Sequence, residues 1–244
     1  MKDHQIARTP FILRAFRLKG RLLLPLLIKV KLKGKNHIPR DRPYIMISNH
    51  LSWIDPFIYL SWLPRNHHLL FVSEVHGLTN KAWKRKMMNL VGNPVIAYDR
   101  FNERQRISTL KGIMRALNAQ QVVGIFPEGR TGRGENDMYP WYTGAFVIAK
   151  KMNVPILPIA ISGSHRLQWR KPIVAQIGPV QYCAENESSD EFALRMHRMI
   201  KEMMPDYPGE GILPGDWPAF TELCLDGRLP AEDSREPIYT SERR

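Results

Sequence analysis

His50 and Asp55, with four residues between them in the run SNHLSWIDPF, form the pairing whose chemistry is most readily written down. If a helix starts just after His50, the imidazole lies at its mouth and Asp55 lies in its first turns, where the carboxylate can accept the Nδ1 proton. That bond fixes the tautomer and leaves Nε2 as an acceptor able to take a proton from an attacking hydroxyl. The carboxylate also favours the imidazolium that results. No nucleophile accompanies the pair. GxSxG is absent, Ser52 stands only two residues from His50, and neither Cys183 nor Cys224 has a histidine beside it. The chemistry indicated is direct attack by a substrate hydroxyl on an acyl carbon, with backbone N–H groups near a loop or helix terminus holding the oxyanion.

Arg100 in GNPVIAYDR and Arg130 in FPEGRTGRG supply planar charged forks suited to a phosphate. Gly129, Gly132 and Gly134 let the backbone approach a ligand closely. Glu128 has three readings: it orients an arginine, it hydrogen-bonds a substrate, or it belongs to an ordinary surface turn. His67, His68, His76, His165 and His197 lack metal-ligand spacing, and the two cysteines form no CxxC, so no metal centre is expected. Lys81, Lys84, Arg85 and Lys86 around Trp83 suit a membrane surface, an acidic carrier protein or a solvated helix face.

These residues have to be positioned by something. Short apolar runs at residues 44–48, 69–72, 95–97, 122–126, 156–161 and 173–177 alternate with helix-like stretches around 52–62, 80–90, 102–118 and 141–152. That order predicts an α/β fold with a largely parallel or mixed central sheet flanked by helices. In such sheets the loops leaving the carboxyl ends of parallel strands share one edge, where ligands bind. Asn49-His50, Tyr98-Asp99-Arg100, Pro127 to Arg130 and Ser162-Gly163 are therefore expected to converge.

The formal charge of +13 is uneven: residues 1–42 carry +10, residues 43–184 carry +10, and residues 185–244 carry −7. Residues 11–33 interleave Phe11, Phe16, Leu22, Leu23, Leu24, Leu26 and Leu27 with seven Lys and Arg, and the longest uncharged run, Leu22 to Ile28, is far too short to span a bilayer. A basic amphipathic pair of helices broken near Gly20 and Pro25, lying on an anionic membrane surface, fits this pattern, and a helix packed on the protein's own core is the alternative. Nucleic acid is not expected as a partner, since no zinc-finger, RNP or KH signature supports it. Three segments follow: 1–33 for membrane attachment, 34–204 as the catalytic domain, and 205–244 as an acidic, proline-containing tail.

Read together, the motifs resemble the glycerolipid acyltransferase family of the 1-acylglycerol-3-phosphate acyltransferase (PlsC-like) type. NHLSWID is similar to its HX4D motif, and GNPVIAYDR, FPEGR and VPILPIAI resemble its later blocks in the same order, over roughly residues 34–180. The resemblance implies His50 as general base and Asp55 as its partner. It further implies Arg100, Glu128, Gly129 and Arg130 around the glycerol phosphate of a lysophospholipid acceptor, most simply 1-acyl-sn-glycerol-3-phosphate. The donor would be acyl-CoA or acyl carrier protein, with no metal and no bound cofactor, at the cytoplasmic face of a membrane. The third block departs from the family's usual EGT-R order, so both Arg130 and Arg133 stand as phosphate contacts. A different lysolipid acceptor, an acyl thioester hydrolase and a non-enzymatic basic binding module are the alternatives.

Overall fold

The computed structural model describes residues 11–63, 68–74, 86, 94–98, 102–132, 134–135, 138–165 and 168–209. The expected helix over 80–90, apart from residue 86, the Asp99-Arg100 pair, Arg133, Cys224 and most of the tail lie outside them. Seven strands form one sheet: β1 (Ile28–Lys33), β2 (Ile45–Ser48), β3 (Leu69–Glu74), β4 (Val95–Tyr98), β5 (Val122–Ile125), β6 (Ile156–Ser162) and β7 (Lys171–Ile177). Their order across the sheet is β1-β7-β6-β2-β5-β3-β4, parallel except where β6 meets β7. The mixed α/β fold is thus the expected one.

The three central strands are buried on both faces, which is why they read as continuous apolar runs rather than alternations. Along β2, Tyr44 and Met46 enter one core layer while Ile45 and Ile47 enter the other. The first layer is covered by α1 (Phe11–Leu27) and α2 (Asp55–Trp62). Packed against the second are α3 (Glu103–Asn118), α4 (Gly144–Met152) and α5 (Ser189–Glu202). Asn102 caps α3 by accepting the Gln105 N–H, and a Ser188/Glu191 capping box starts α5.

Two sequence expectations need correction. Residues 28–33 are an edge strand, not part of a helical head: Ile28, Val30 and Leu32 alternate with Lys29, Lys31 and Lys33, and β1 pairs in parallel with β7. The exposed lysines alternating along this strand disfavour its pairing with another chain. Nor does the preceding segment break near Gly20. It is a single helix through both Gly20 and Pro25, because tertiary contacts hold it: Leu13 and Arg17 are buried. Arg21 donates to the carbonyls of Ser61, Trp62 and Leu63, satisfying acceptors at the C-terminal end of α2. A Cβ on Gly20 would come within 2.3 Å of Ser61 Oγ and 3.2 Å of Ser61 Cβ, so a larger residue here would require Ser61 to turn and α1 to give way slightly from α2. The outer face of α1 is apolar and unburied, with Phe11 82%, Leu22 65%, Leu23 59% and Leu26 57% exposed. No helix among the described residues is long and apolar enough to cross a membrane.

Candidate active site

The end of β2 is the centre of the site. β2 runs parallel to β5 and β6, so the loops after all three leave from one edge of the sheet. Asn49 ties two of them together: its Nδ2 donates to Ile161 O (2.9 Å) and its Oδ1 accepts from Ile161 N–H (2.8 Å), extending the ladder by one side chain. Fully buried and satisfied, this amide fixes the direction in which His50 leaves the strand. Sequence reasoning assigned Asn49 no role.

Asp55 is the first residue of α2, not a member of its early interior, because residues 51–54 form a turn before the helix begins. Pro56 follows in the first turn, where its missing N–H leaves no helical bond broken. The carboxylate instead reaches back over that turn. Its Oδ2 accepts from His50 Nδ1 (3.0 Å), Leu51 N–H (2.8 Å) and Ser52 N–H (2.9 Å), and the side chain is fully buried. Two backbone donors aimed at the same oxygen hold the carboxylate in place against the imidazole. His50 Nε2 has no hydrogen-bond partner among the described residues, and the ring is 16% exposed. It is stacked on Phe126, with centroids 4.0 Å apart and planes 20° apart, and Phe126 stacks in turn on Phe71. The ring is thus clamped by a hydrogen bond at one edge and an aromatic face beneath. Deeper in, Tyr59 shares a 2.6 Å hydrogen bond with Ser48, and burial followed by the Asp55 charge pushes its phenol far above the ordinary value, so it stays protonated.

The FPEGR loop after β5 meets the His50 loop through Glu128. This carboxylate is only 2% exposed; Oε1 accepts from His50 N–H (2.8 Å) and Oε2 from Tyr139 N–H (2.9 Å). Its burial excludes the surface-turn reading, and through these two backbone groups Glu128 acts as a clamp between the two loops. Gly132 N–H returns a bond to His50 O (2.7 Å). Gly129 has φ 66° and lies against Tyr142, whose ring carbon would be 2.9 Å from an added Cβ. That position therefore needs glycine on two counts. Arg130 stands half-buried with its guanidinium 4.8 Å from the centre of the Tyr139 ring. Of the backbone N–H groups expected to hold an oxyanion, those of His50, Leu51, Ser52, Gly129 and Gly132 are already bonded to protein acceptors.

The structure therefore brings His50, Asp55, Glu128, Gly129 and Arg130 together, while Arg100 and Arg133 lie outside the described residues. Beside them, the turn after β6 is held by Glu135, which accepts from Gly163 N–H (2.6 Å), His165 N–H (3.2 Å) and the buried Lys171 ammonium (3.1 Å). Neither Glu135 nor Lys171 carries a sequence motif that would have singled it out.

The acyltransferase family pattern matches residues 29–162. Among similar proteins, the mouse 1-acyl-sn-glycerol-3-phosphate acyltransferase alpha is 33% identical over 236 residues, covering 89% of this chain and 72% of the relative. The human protein of that name is 28% identical over 229 residues, covering 86% and 70%. A crystal structure of the 1-acyl-sn-glycerophosphate (LPA) acyltransferase PlsC from Thermotoga maritima superposes with a TM-score of 0.62 at 20% identity, over 78% of this chain and 77% of that one, and so shares its fold.

Proposed function

The chain belongs to the acyltransferase family, and from that membership we propose that it transfers a fatty acyl group from an acyl thioester to the hydroxyl of a lysophospholipid, 1-acyl-sn-glycerol-3-phosphate above all. The observation that carries the mechanism is the His50 Nδ1 to Asp55 Oδ2 bond, which leaves Nε2 uncommitted on a partly exposed ring. In this reading His50 Nε2 takes the proton of the acceptor hydroxyl as that oxygen attacks the thioester carbonyl carbon. The C–S bond then breaks, and the departing thiolate recovers the proton from the imidazolium, so thiol and ester leave and the histidine is restored. Asp55 never touches substrate; it holds the tautomer and balances the imidazolium charge.

Arg130 is the acceptor's phosphate contact among the described residues, its side chain lying on the loop that Glu128 joins to the His50 loop. Arg100 shares that role by the expectation drawn from its motif. The two substrates alone supply the chemistry, the donor being acyl-CoA or acyl carrier protein. The apolar outer face of α1, together with the exposed Arg14 and Lys19, supports attachment to an anionic membrane, which this reading places at its cytoplasmic face.

The test is transfer of a labelled acyl group from acyl-CoA, and separately from acyl carrier protein, to a panel of lysophospholipids. Phosphatidic acid formed from lysophosphatidic acid is the expected product. Release of free fatty acid without acylation of any acceptor would overturn transfer in favour of hydrolysis.

A further inference from the structure

We propose that Tyr139 is a positioning residue that holds the Arg130 guanidinium at a fixed reach from His50 and thereby sets selection for a phosphate-bearing acceptor. The inference rests on the reading of Arg130 as the phosphate contact. A long arginine on a glycine-flanked loop has many rotamers, and a fork that must meet a phosphate gains from being held beforehand. Among the described residues Arg130 has no carboxylate partner to hold it; what it has is the face of Tyr139, 4.8 Å from the guanidinium carbon. A cation over a tyrosine ring is oriented by the ring quadrupole while its N–H edges stay available in the plane, so the stack can orient the fork without using up its donors.

Tyr139 is itself fixed with respect to the base. Its backbone N–H is bound by Glu128 Oε2, and the other oxygen of the same carboxylate binds the His50 N–H. Two residues on, Trp141 is 1% exposed, with its ring against His197 and Phe146. Tyr142 N–H then closes the segment onto Pro127 O (2.9 Å). The ring that orients Arg130 is thus carried on a segment anchored at three points, one of them shared with the catalytic loop. The distance from base to phosphate contact is set through Glu128 and Tyr139 and not by Arg130 alone.

Steady-state kinetics with lysophosphatidic acid and acyl-CoA test this in Tyr139→Leu, Tyr139→Phe, Arg130→Ala and the double variant Arg130→Ala/Tyr139→Leu. Tyr139→Leu should raise acceptor KM about fivefold, which is about 1 kcal/mol at 1.4 kcal/mol per decade, with kcat and donor KM little changed. Tyr139→Phe keeps the ring and should restore the parent KM, and Tyr139→Leu should add nothing in the Arg130→Ala background. Equal damage from Phe and Leu, a kcat effect in place of a KM effect, or undiminished loss in the Arg130→Ala background would each overturn the role of Tyr139. If Arg130→Ala leaves acceptor KM unchanged, the reading of Arg130 falls first and the inference with it.

Discussion

Replacing Asp55 by asparagine removes the charge that orients the base while keeping the shape of the side chain. The carboxylate oxygen Oδ2 serves three donors at 2.8–3.0 Å and is fully buried. An amide oxygen can still accept from Leu51 and Ser52 N–H, so the turn survives, weakened by the difference between charged and neutral acceptors, about 1–2 kcal/mol. The amide nitrogen then has two places to go. Left in the Oδ1 position it meets no partner among the described residues, since Oδ1 itself has none. Turned toward Nδ1 it donates, which moves the imidazole proton to Nε2 and removes the base. In the first position the amide oxygen still accepts the Nδ1 proton but no longer carries the charge that balances the imidazolium, and in the second both the base and the acceptor of the turn are lost; either way kcat should fall, by a factor of about 10²–10⁴, or about 3–5 kcal/mol of transition-state stabilisation. Acceptor KM should change little, because Asp55 acts only on proton transfer. Continuous detection of the thiol released from acyl-CoA, at varied lysophosphatidic acid, reads both constants, and a melting curve verifies folding. The same substitution made in His50→Ala should cost nothing further. A folded Asp55→Asn enzyme within tenfold of the parent kcat, or a full additional loss in His50→Ala, would refute the coupling.

Glu128→Gln places an amide N–H₂ against either the His50 or the Tyr139 N–H; the unmade buried bond should cost about 1–3 kcal/mol, lower Tm by several degrees and reduce kcat, and an unchanged melt would contradict the clamp. His68 and His197 are held below the ordinary histidine value of 6.5, chiefly by burial and secondarily by Arg17 and Lys201 respectively. Between that folded value and 6.5 the unfolded chain binds more protons, so the stability they contribute is present above pH 6.5 and lost as pH falls. Tm should therefore decline on acidification, with a shallower slope in His68→Gln/His197→Gln; an identical slope in that variant would count against it. Changing Leu22, Leu23 and Leu26 to serine should weaken binding to anionic liposomes about 10²-fold without altering Tm, since each leucine faces outward, and unchanged sedimentation with vesicles would remove α1 from membrane attachment.

The central strands and the HX4D and FPEGR loops were legible in the sequence because their signals are local: an apolar run buried on both faces, and polar residues at short spacing beyond it. β1 was also written plainly, as the alternation of Ile28, Val30 and Leu32 with three lysines, but adjacent basic residues of α1 made the whole stretch read as a broken pair of amphipathic helices. α5 carried its Ser188-x-x-Glu191 capping box unnoticed. What spacing could not convey was the use of each polar group. Glu128 and Asn49 lie in recognisable motifs, yet their work is to join loops far apart in sequence, and Tyr139 carries no motif at all. The integrity of α1 through Pro25 depends on Arg21 meeting the end of α2 some 40 residues away, a contact invisible to propensity.

In the proposed mechanism His50 is the base that activates the acceptor hydroxyl. Turnover of labelled acyl-CoA with lysophosphatidic acid by purified His50→Ala, compared with the parent protein at equal folded concentration, tests it most directly. The expected result is a loss of about 10²–10⁴ in kcat with the melting temperature little changed. A folded His50→Ala protein that still forms phosphatidic acid at close to the parent rate would contradict it.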